Sequence, residues 1–369
     1  MKIERIELHH ITLPLVHPFQ TSFGIERVRP CILVAVHSAG LVGWAECTAG
    51  DGPWYSYETV ETAWHVLRDF LIPSLVGRDV ATVGEAIEGF KGVRGHPMAK
   101  TALENAVWDL LAKADGKSLC EVLGGVRERV EVGVSIGIQP TLEGLLARVD
   151  DFVAQGYRRI KVKIKPGWEL TPLRALRERH PDVSMMADAN SAFRLEDAAL
   201  FREMDGLDLL MIEQPLGYDD IADHAKLQAQ IKTPLCLDES IHSPDHARWA
   251  LELKACGIIN MKVARVGGLT NALAIHEMCQ EAGVPVWCGG MLETGVGRAT
   301  NLHLATLPNF TLPGDLSATS RYYHEDIAEP TFSLNVEDST ITVPMGLGIG
   351  VEVQMERLER AREGHLVLT

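Results

Sequence analysis

No apolar run in this chain is long enough to span a bilayer, and no cluster of basic residues interrupts its acidic balance. The 50 acidic residues outnumber the 35 basic ones, for a formal charge of −15. A field of that sign repels phosphate, so nucleic acid and anionic membrane are excluded as partners. The opening MKIERIELHHITL alternates like a strand and lacks the apolar core and cleavage site of a secretory signal. Cysteines stand only at 31, 47, 120, 236, 256, 279 and 288, an odd number with no C-x-x-C pair. They read as reduced, buried thiols, and the expected location is the cytoplasm. Low-complexity tracts and long linkers are missing as well. With 46% apolar and 23% charged residues over 369 positions, the chain has globular proportions. Its length suits two domains or one barrel with additions.

What the chain does have is a rhythm. Four apolar segments each stop at a charged group: MMADAN at Asp188, LLMIEQ at Glu213, LCLDES at Asp238 and IINMKV at Lys262. Just before them RIKVKI carries Lys161 and Lys163. From Lys163 to Lys262 the intervals are 25, 25, 25 and 24 residues. A short strand, a helix of about a dozen residues and two loops fill that period. Charge therefore arrives once per βα unit, where the strand ends, and a parallel barrel puts its chemistry there. On consecutive strands of an eight-stranded barrel, Lys163 and Lys262 lie half a turn apart and face each other across the mouth. The three carboxylates occupy the strands between them. Such acids repel and raise each other's pKa unless a cation neutralises them. All-oxygen ligands suit a hard ion such as Mg²⁺. Opposed lysines with a metal between them suit the movement of a proton at a carbon beside a carboxylate. One charged strand end is an ordinary solvated terminus; five in phase are not.

Taken in order, residues 1 to about 50 predict a meander turning at Ser38-Ala39-Gly40. Two segments are expected as loops, HPFQTSFG (17–24) and TAGDGPWYS (48–56), with the aromatics Phe19, Phe23, Trp54 and Tyr55. These aromatics either pack back on their own domain or form a lid over an apolar part of a ligand. YETVETAWHVLRDFLIPSL and MAKTALENAVWDLLAKADG have helical spacing, the latter stopped by Gly116. Strands followed by helices make residues 1–125 a small α+β domain with a boundary at Gly124-Gly125. VEVGVSIGI (130–138) opens the alternating part, with Ser135 pointing inward. Eight strands with seven helical connections are expected over 126–320, the last two being VPVWCGG (284–290) and NFTLPGD, ending at Asp315. The fold class is thus α/β, a (β/α)7β modified TIM barrel with an α+β capping domain. In the tail (321–369), TFSLNV and STITVP predict β structure, and the tail is expected to pack back on the first domain and complete it.

Lys161 and Lys163 stand at i and i+2, so on a strand both point into the mouth. Two ammonium groups this close favour losing one proton, and burial pushes the same way. Lys163, nearer the strand end, is the expected base, and Lys161 the lasting positive charge. Asn190 and Glu239, flanking the acidic positions, and Asp315 are expected to orient the ligands. Arg265 is expected either to touch Lys262 and depress its pKa or to form a surface ion pair. Gly289, Gly290 and Met291, after the seventh strand, are expected against the substrate, where glycine admits close backbone approach. His242 and His246 stand four apart but lack the glutamate of a zinc helix.

These residues resemble the enolase superfamily. The Lys-x-Lys strand, the series Asp188, Glu213, Asp238 and the sixth-strand Lys262 match its muconate-lactonizing branch. Within that branch the chain is most similar to the N-acylamino acid (N-succinylamino acid) racemase/o-succinylbenzoate synthase group. The likeness runs through HPFQTSFG, KIKPGW, DAN, IEQPL, CLDES, the Lys262 to Gly268 run, PVWCGGMLETGVGR and NFTLPGD. It implies that Asp188, Glu213 and Asp238 bind Mg²⁺, with Mn²⁺ or another divalent ion able to substitute. Lys163 and Lys262 become the acid/base pair, acting through an enediolate on a small-molecule carboxylate, and the first domain caps the site. A homo-oligomer is expected. Racemisation would use the two lysines in turn, whereas dehydration to o-succinylbenzoate would use one, and both reactions stay open. Dipeptide epimerases of the branch carry Asp-x-Asp after the eighth strand; here Asp315-Leu316-Ser317 lacks the second acid. Mandelate-racemase-type enzymes use a His/Asp dyad where this chain has Lys262. Alternatives are another enzyme of the branch (a cycloisomerase or dipeptide epimerase), a Schiff-base aldolase built on a late-strand lysine, and a binding protein without catalysis.

Overall fold

The alternating opening has an apolar face to bury, and it does so as the sheet of a capping layer. The computed structural model describes residues 1–369. β1 (Arg5–Gln20), β2 (Ile25–Ser38) and β3 (Leu41–Cys47) form an antiparallel meander. Ile6 and Leu8 share a face with Val34 and Val36 and pack beneath helices that follow. These helices are α1 (Val60–Val66), α2 (Val83–Glu88) and α3 (Pro97–Ala114), whereas α4 (Leu119–Leu123) buries its leucines in the barrel core. The segment 17–24 is not the loop expected of it. Phe19 pairs with Glu26 and Gln20 with Ile25, so only residues 21–24 turn. Ile25-Glu26-Arg27-Val28 supplies a partner strand, which turns the segment into a hairpin arm carrying Phe19 and Phe23.

VEVGVSIGI also divides. β4 (Arg129–Glu131) leaves the barrel, and β5 (Val134–Ile136) enters it. Gly133 stands between them, where an added Cβ would lie 2.4 Å from Arg159 Nε. From β5 the chain winds through α5 (Leu142–Ala154), β6 (Arg159–Lys163), α6 (Leu170–Arg179), β7 (Ser184–Asp188), α7 (Ala198–Met204) and β8 (Ile212–Glu213). It continues through α8 (Ala222–Gln228), β9 (Leu235–Leu237), α9 (Pro244–Leu253) and β10 (Ile258–Met261). Then follow α10 (Val263–Val266), α11 (Leu269–Glu281), β11 (Val286–Cys288) and α12 (Gly295–Leu304). β5 to β11 form one seven-stranded parallel sheet in sequence order. The eighth segment closes it with single contacts: Phe310 bridges Val286 on one side and Gly314 bridges Val132 on the other. Pro313 between them has no N–H to extend a ladder. No helix follows, so the barrel is (β/α)7β. No helix is long and apolar enough to cross a membrane.

The tail packs back on the cap, though not by the two stretches that predict β structure. Its elements are β12 (Ala328–Glu329), β13 (Leu334–Asn335), β14 (Thr340–Thr342), β15 (Glu352–Val353), α13 (Met355–Ala361) and β16 (Arg362–Leu368). TFSLNV and STITVP contribute β13 and β14, which pair with each other, and β14 pairs with β4 beside the barrel rather than with the cap. The cap is instead completed by β16, antiparallel on β1 with Ile6 opposite Leu368. β1 offered an unpaired edge, and an alternating GHLVL strand fits it.

Glu46 of β3 ties cap to barrel. Its Oε2 accepts from Thr294 N at 3.0 Å, Thr294 Oγ at 2.7 Å and Gly297 N at 3.3 Å, at the start of α12. Burial pushes its carboxyl up to about 7, and the Thr294 bonds offset only part of that. The folded protein therefore holds this proton more tightly than the unfolded chain. The stability linked to it is present below the ordinary carboxylate range and lost as pH rises through about 7. The loss amounts to roughly 3 kcal/mol. Glu46→Gln keeps an acceptor for Thr294 and should shrink the Tm difference between about pH 5 and about pH 8. Equal differences in variant and parent would remove Glu46 from this role.

Candidate active site

On β6 the side-chain period of two points Arg159, Lys161 and Lys163 the same way. All three are buried. Lys161 Nζ lies 2.8 Å from Asp188, 2.6 Å from Glu213 and 3.0 Å from Asp315. Lys163 Nζ donates to Asp188 at 2.6 Å and to Asn190 Oδ1 at 2.8 Å. Parallel register makes this possible, since Lys163 pairs with Asp188 and Asp188 with Glu213 across adjacent strands. Burial disfavours both ammonium charges. For Lys161 it is outweighed by Asp188, Asp315 and Glu213, which hold its pKa well above the ordinary value. For Lys163 burial prevails and the pKa falls. Asp188 feels burial too, but Lys161 and Lys163 pull it below the usual carboxylate range. Glu213 moves up, from burial and then from the charge of Asp188.

The far side is built on the ends of β9 and β10. Lys262 Nζ donates to Asp238 at 2.8 Å and to Tyr55 Oη at 3.0 Å, under the Tyr55 ring. Arg265 does not do what was expected of it. Its guanidinium takes Asp238 and, at 3.3 Å, Tyr55, with Nε on the Ile241 carbonyl at 2.7 Å. The pKa of Lys262 is raised, not depressed: burial lowers it, and Tyr55, Glu239 and Glu213 outweigh burial. Arg265 is buried, so it is no surface ion pair either. The two lysines thus sit at opposite ends of the carboxylate row, four strands apart.

A cavity of about 360 Å³ opens above them, the size of a small-ligand site. Lys161, Lys163, Lys262, Ser135, Asn190, Asp315, Gly290 and Met291 line it from the barrel. Phe19, Phe23, Trp54 and Tyr55 line it from the cap. Trp54 is 71% exposed, so it rims the mouth and is not packed into its own domain. Tyr55 goes deeper, onto Lys262. Gly289 does not reach the cavity. An added Cβ there would lie 2.2 Å from Asn260 Oδ1, so the glycine makes room for Asn260. Asp188, Glu213, Asp238, Glu239 and Arg265 lie under the floor. Asn190 connects two of the parts, accepting from Lys163 and donating to Glu239 Oε1 at 3.0 Å. His242 and His246 meet edge to face, 5.2 Å between ring centroids, away from the cavity.

Three fully buried carboxylates on successive strands, with oxygen donors only, fit a hard divalent cation. Burial and then the charge of Asp188 raise the pKa of Glu213, and the second of these is a repulsion that such an ion relieves. Their oxygens do not all converge within 4.8 Å of one another, and each of the acids Asp188, Glu213 and Asp238 is paired with a lysine or arginine.

Sequence reasoning missed three supports. Arg159 pairs with Asp315 at 2.7 Å, and the signal was its place two residues before Lys161 on the same strand face. Asn260 donates to Glu213 Oε1 at 2.8 Å and stands two before Lys262 in the same way. Gln214 accepts from Asp238 N at 3.0 Å, which no local pattern announces.

Residues 5–124 match the mandelate racemase/muconate lactonizing enzyme N-terminal domain, and residues 144–357 match the enolase C-terminal domain-like family. An o-succinylbenzoate synthase of Geobacillus kaustophilus is 52% identical over 361 residues, 98% of this chain and 96% of that protein. An N-succinylamino acid racemase of Thermus thermophilus is 49% identical over 360 residues, 98% of this chain and 97% of the relative. A crystal structure of an enolase superfamily member from Listeria innocua superposes with a TM-score of 0.95 at 42% identity, covering 100% of this chain and 99% of the other.

Proposed function

The chain belongs to the o-succinylbenzoate synthase and N-succinylamino acid racemase family of the enolase superfamily, and from that premise we propose that it abstracts the proton alpha to a carboxylate. The observation that carries the proposal is the pair Lys163 and Lys262, at the two ends of one row of acids and both open to one cavity. Asp188, Glu213 and Asp238 are the residues that would hold a divalent cation, Mg²⁺ foremost. Bound there, such a cation supplies fixed positive charge against the developing enediolate. Lys161 adds permanent charge beneath the row.

In racemisation one lysine takes the proton from one face and the other returns a proton to the opposite face. In the dehydration that forms o-succinylbenzoate, Lys163 takes the proton and gives it back on the same face to the leaving hydroxyl. The same two amines serve both reactions, so we propose a single site capable of each. Seven unpaired, buried cysteines agree with a reducing, cytoplasmic setting. The test is a panel of N-acylamino acids and the synthase substrate, assayed with and without Mg²⁺. Inactivity on every member, or full activity in the absence of any divalent ion, would overturn the proposal.

Of the cap aromatics, Trp54 is the one placed to meet the part of the substrate farthest from the lysines. Trp54→Ala, at the rim, should therefore reorder the preference among acyl groups, measured as kcat/KM across the panel. A uniform loss, or none, would make Trp54 a bystander.

A further inference from the structure

Outside the cavity, four chemistry-bearing side chains meet on one face of the cap sheet. Glu7 and His9 are two apart on β1 and point the same way. His365 of β16 stands directly opposite His9, and His37 of β2 stands opposite Arg5, diagonal to Glu7. His9 Nε2 lies 3.5 Å from Glu7 Oε2 and His365 Nε2 lies 3.2 Å from the same oxygen. His37 Nε2 lies 3.0 Å from Glu7 Oε1. Donor atoms of Glu7, His9 and His365 all fall within 4.8 Å of one another. None of the four residues lines the cavity.

We propose that this cluster is a second metal site, binding one Zn²⁺ or a similar transition-metal ion through His9, His365 and Glu7, with the fourth position left to solvent. Donors about 2.1 Å from a tetrahedral zinc stand about 3.4 Å from one another. The 3.5 Å and 3.2 Å separations at Glu7 already have that edge length. His9 carries the argument furthest. It is 1% exposed, and neither ring nitrogen has a hydrogen-bond partner. Buried polar atoms are seldom left so. Its nearest ring is His365, stacked at 4.7 Å, which offers a second imidazole and no carbonyl or carboxylate. Arg5 donates to Oε1 of Glu7 at 3.0 Å and leaves Oε2 turned to the two imidazoles. A set of imidazoles with one carboxylate selects zinc over magnesium, unlike the all-carboxylate row in the barrel. The ion would pin β16 to β1, holding the last strand of the chain on the first.

The experiment uses the full-length protein in excess Mg²⁺, titrated with Zn²⁺ alone, with metal content per chain, affinity and Tm as readouts. Parent protein should bind one more Zn²⁺ per chain than His365→Ala, and Zn²⁺ should raise the Tm of the parent only. Loss of a ligand should weaken binding by at least about tenfold. Turnover in Mg²⁺ should be unchanged in His365→Ala, since the site is remote from the cavity. Glu7→Gln, nearly isosteric, provides the same comparison should His365→Ala unfold. Equal Zn²⁺ content and affinity in parent and variants, or no Zn²⁺ beyond that displacing Mg²⁺, would overturn the site.

Discussion

Lys163→Ala and Lys262→Ala should each abolish racemisation of an N-acylamino acid, by at least about 10³-fold, the scale of a lost general acid or base. The two variants should nonetheless differ. Each lysine stands at one end of the carboxylate row, so each reaches one face of the bound carbon. In D₂O, Lys163→Ala should still exchange the alpha proton of one enantiomer, and Lys262→Ala that of the other. The fold should survive both changes. Without Lys163, Asp188 keeps Lys161 at 2.8 Å, and without Lys262, Asp238 keeps Arg265. No buried acid is therefore stranded, which is the costly outcome when an ion pair is cut. Dehydration should respond differently, because it uses one face only. Lys262→Arg should retain part of the dehydration while losing racemisation. Exchange of the same enantiomer by both alanine variants, followed by NMR, would mean that the lysines do not flank the substrate.

Glu213→Gln should cost about 10²–10³-fold in turnover, the scale of removing one electrostatic contact to a developing oxyanion. It should also weaken divalent-ion affinity measured directly. Glu213 separates these effects from folding better than its neighbours do. Asn260 can still donate to the amide oxygen, and Lys161 keeps Asp188 and Asp315. Tm should accordingly change little. In the parent protein, excess EDTA should abolish activity and added Mg²⁺ should restore it. Full activity in EDTA would break the metal assignment. Unchanged ion affinity in Glu213→Gln would leave Glu213 as a partner of Lys161 and nothing more.

The barrel was legible because its signal is one-dimensional. A βα unit has a fixed length, so a charge at the end of each strand recurs at a fixed interval. Asp188, Glu213 and Asp238 could be assigned to one row from spacing alone, and Lys163 and Lys262 to its two ends. The alternation in Arg159-Ile160-Lys161-Val162-Lys163 carries equally good information about Arg159, which shares the strand face of the lysine pair. The eighth strand was located correctly by NFTLPGD. That it makes only isolated bridges around Pro313 follows from the missing proline N–H, a property also readable in advance.

Other features depend on contacts that no local pattern encodes. Tyr55 is expected either to pack back on its own domain or to join a lid over an apolar part of a ligand, yet its hydroxyl meets Lys262 from 207 residues away. Arg265 was expected on Lys262 or at the surface. It turned to Asp238, whose buried charge attracts the guanidinium that Lys262, itself a cation, repels. Segment 17–24 looked like a loop until Ile25–Val28 paired with it. The tail returned to the cap through β16 and not through TFSLNV, because the open edge was on β1. The same closure brings His365 beside Glu7, 358 positions away in sequence. Strand period and charge thus determined the barrel, its acids and its lysines, since these repeat along the chain. Tertiary structure alone decided which distant side chain neutralises which charge, because burial forces each ion to the nearest opposite charge in space, whatever its distance along the chain.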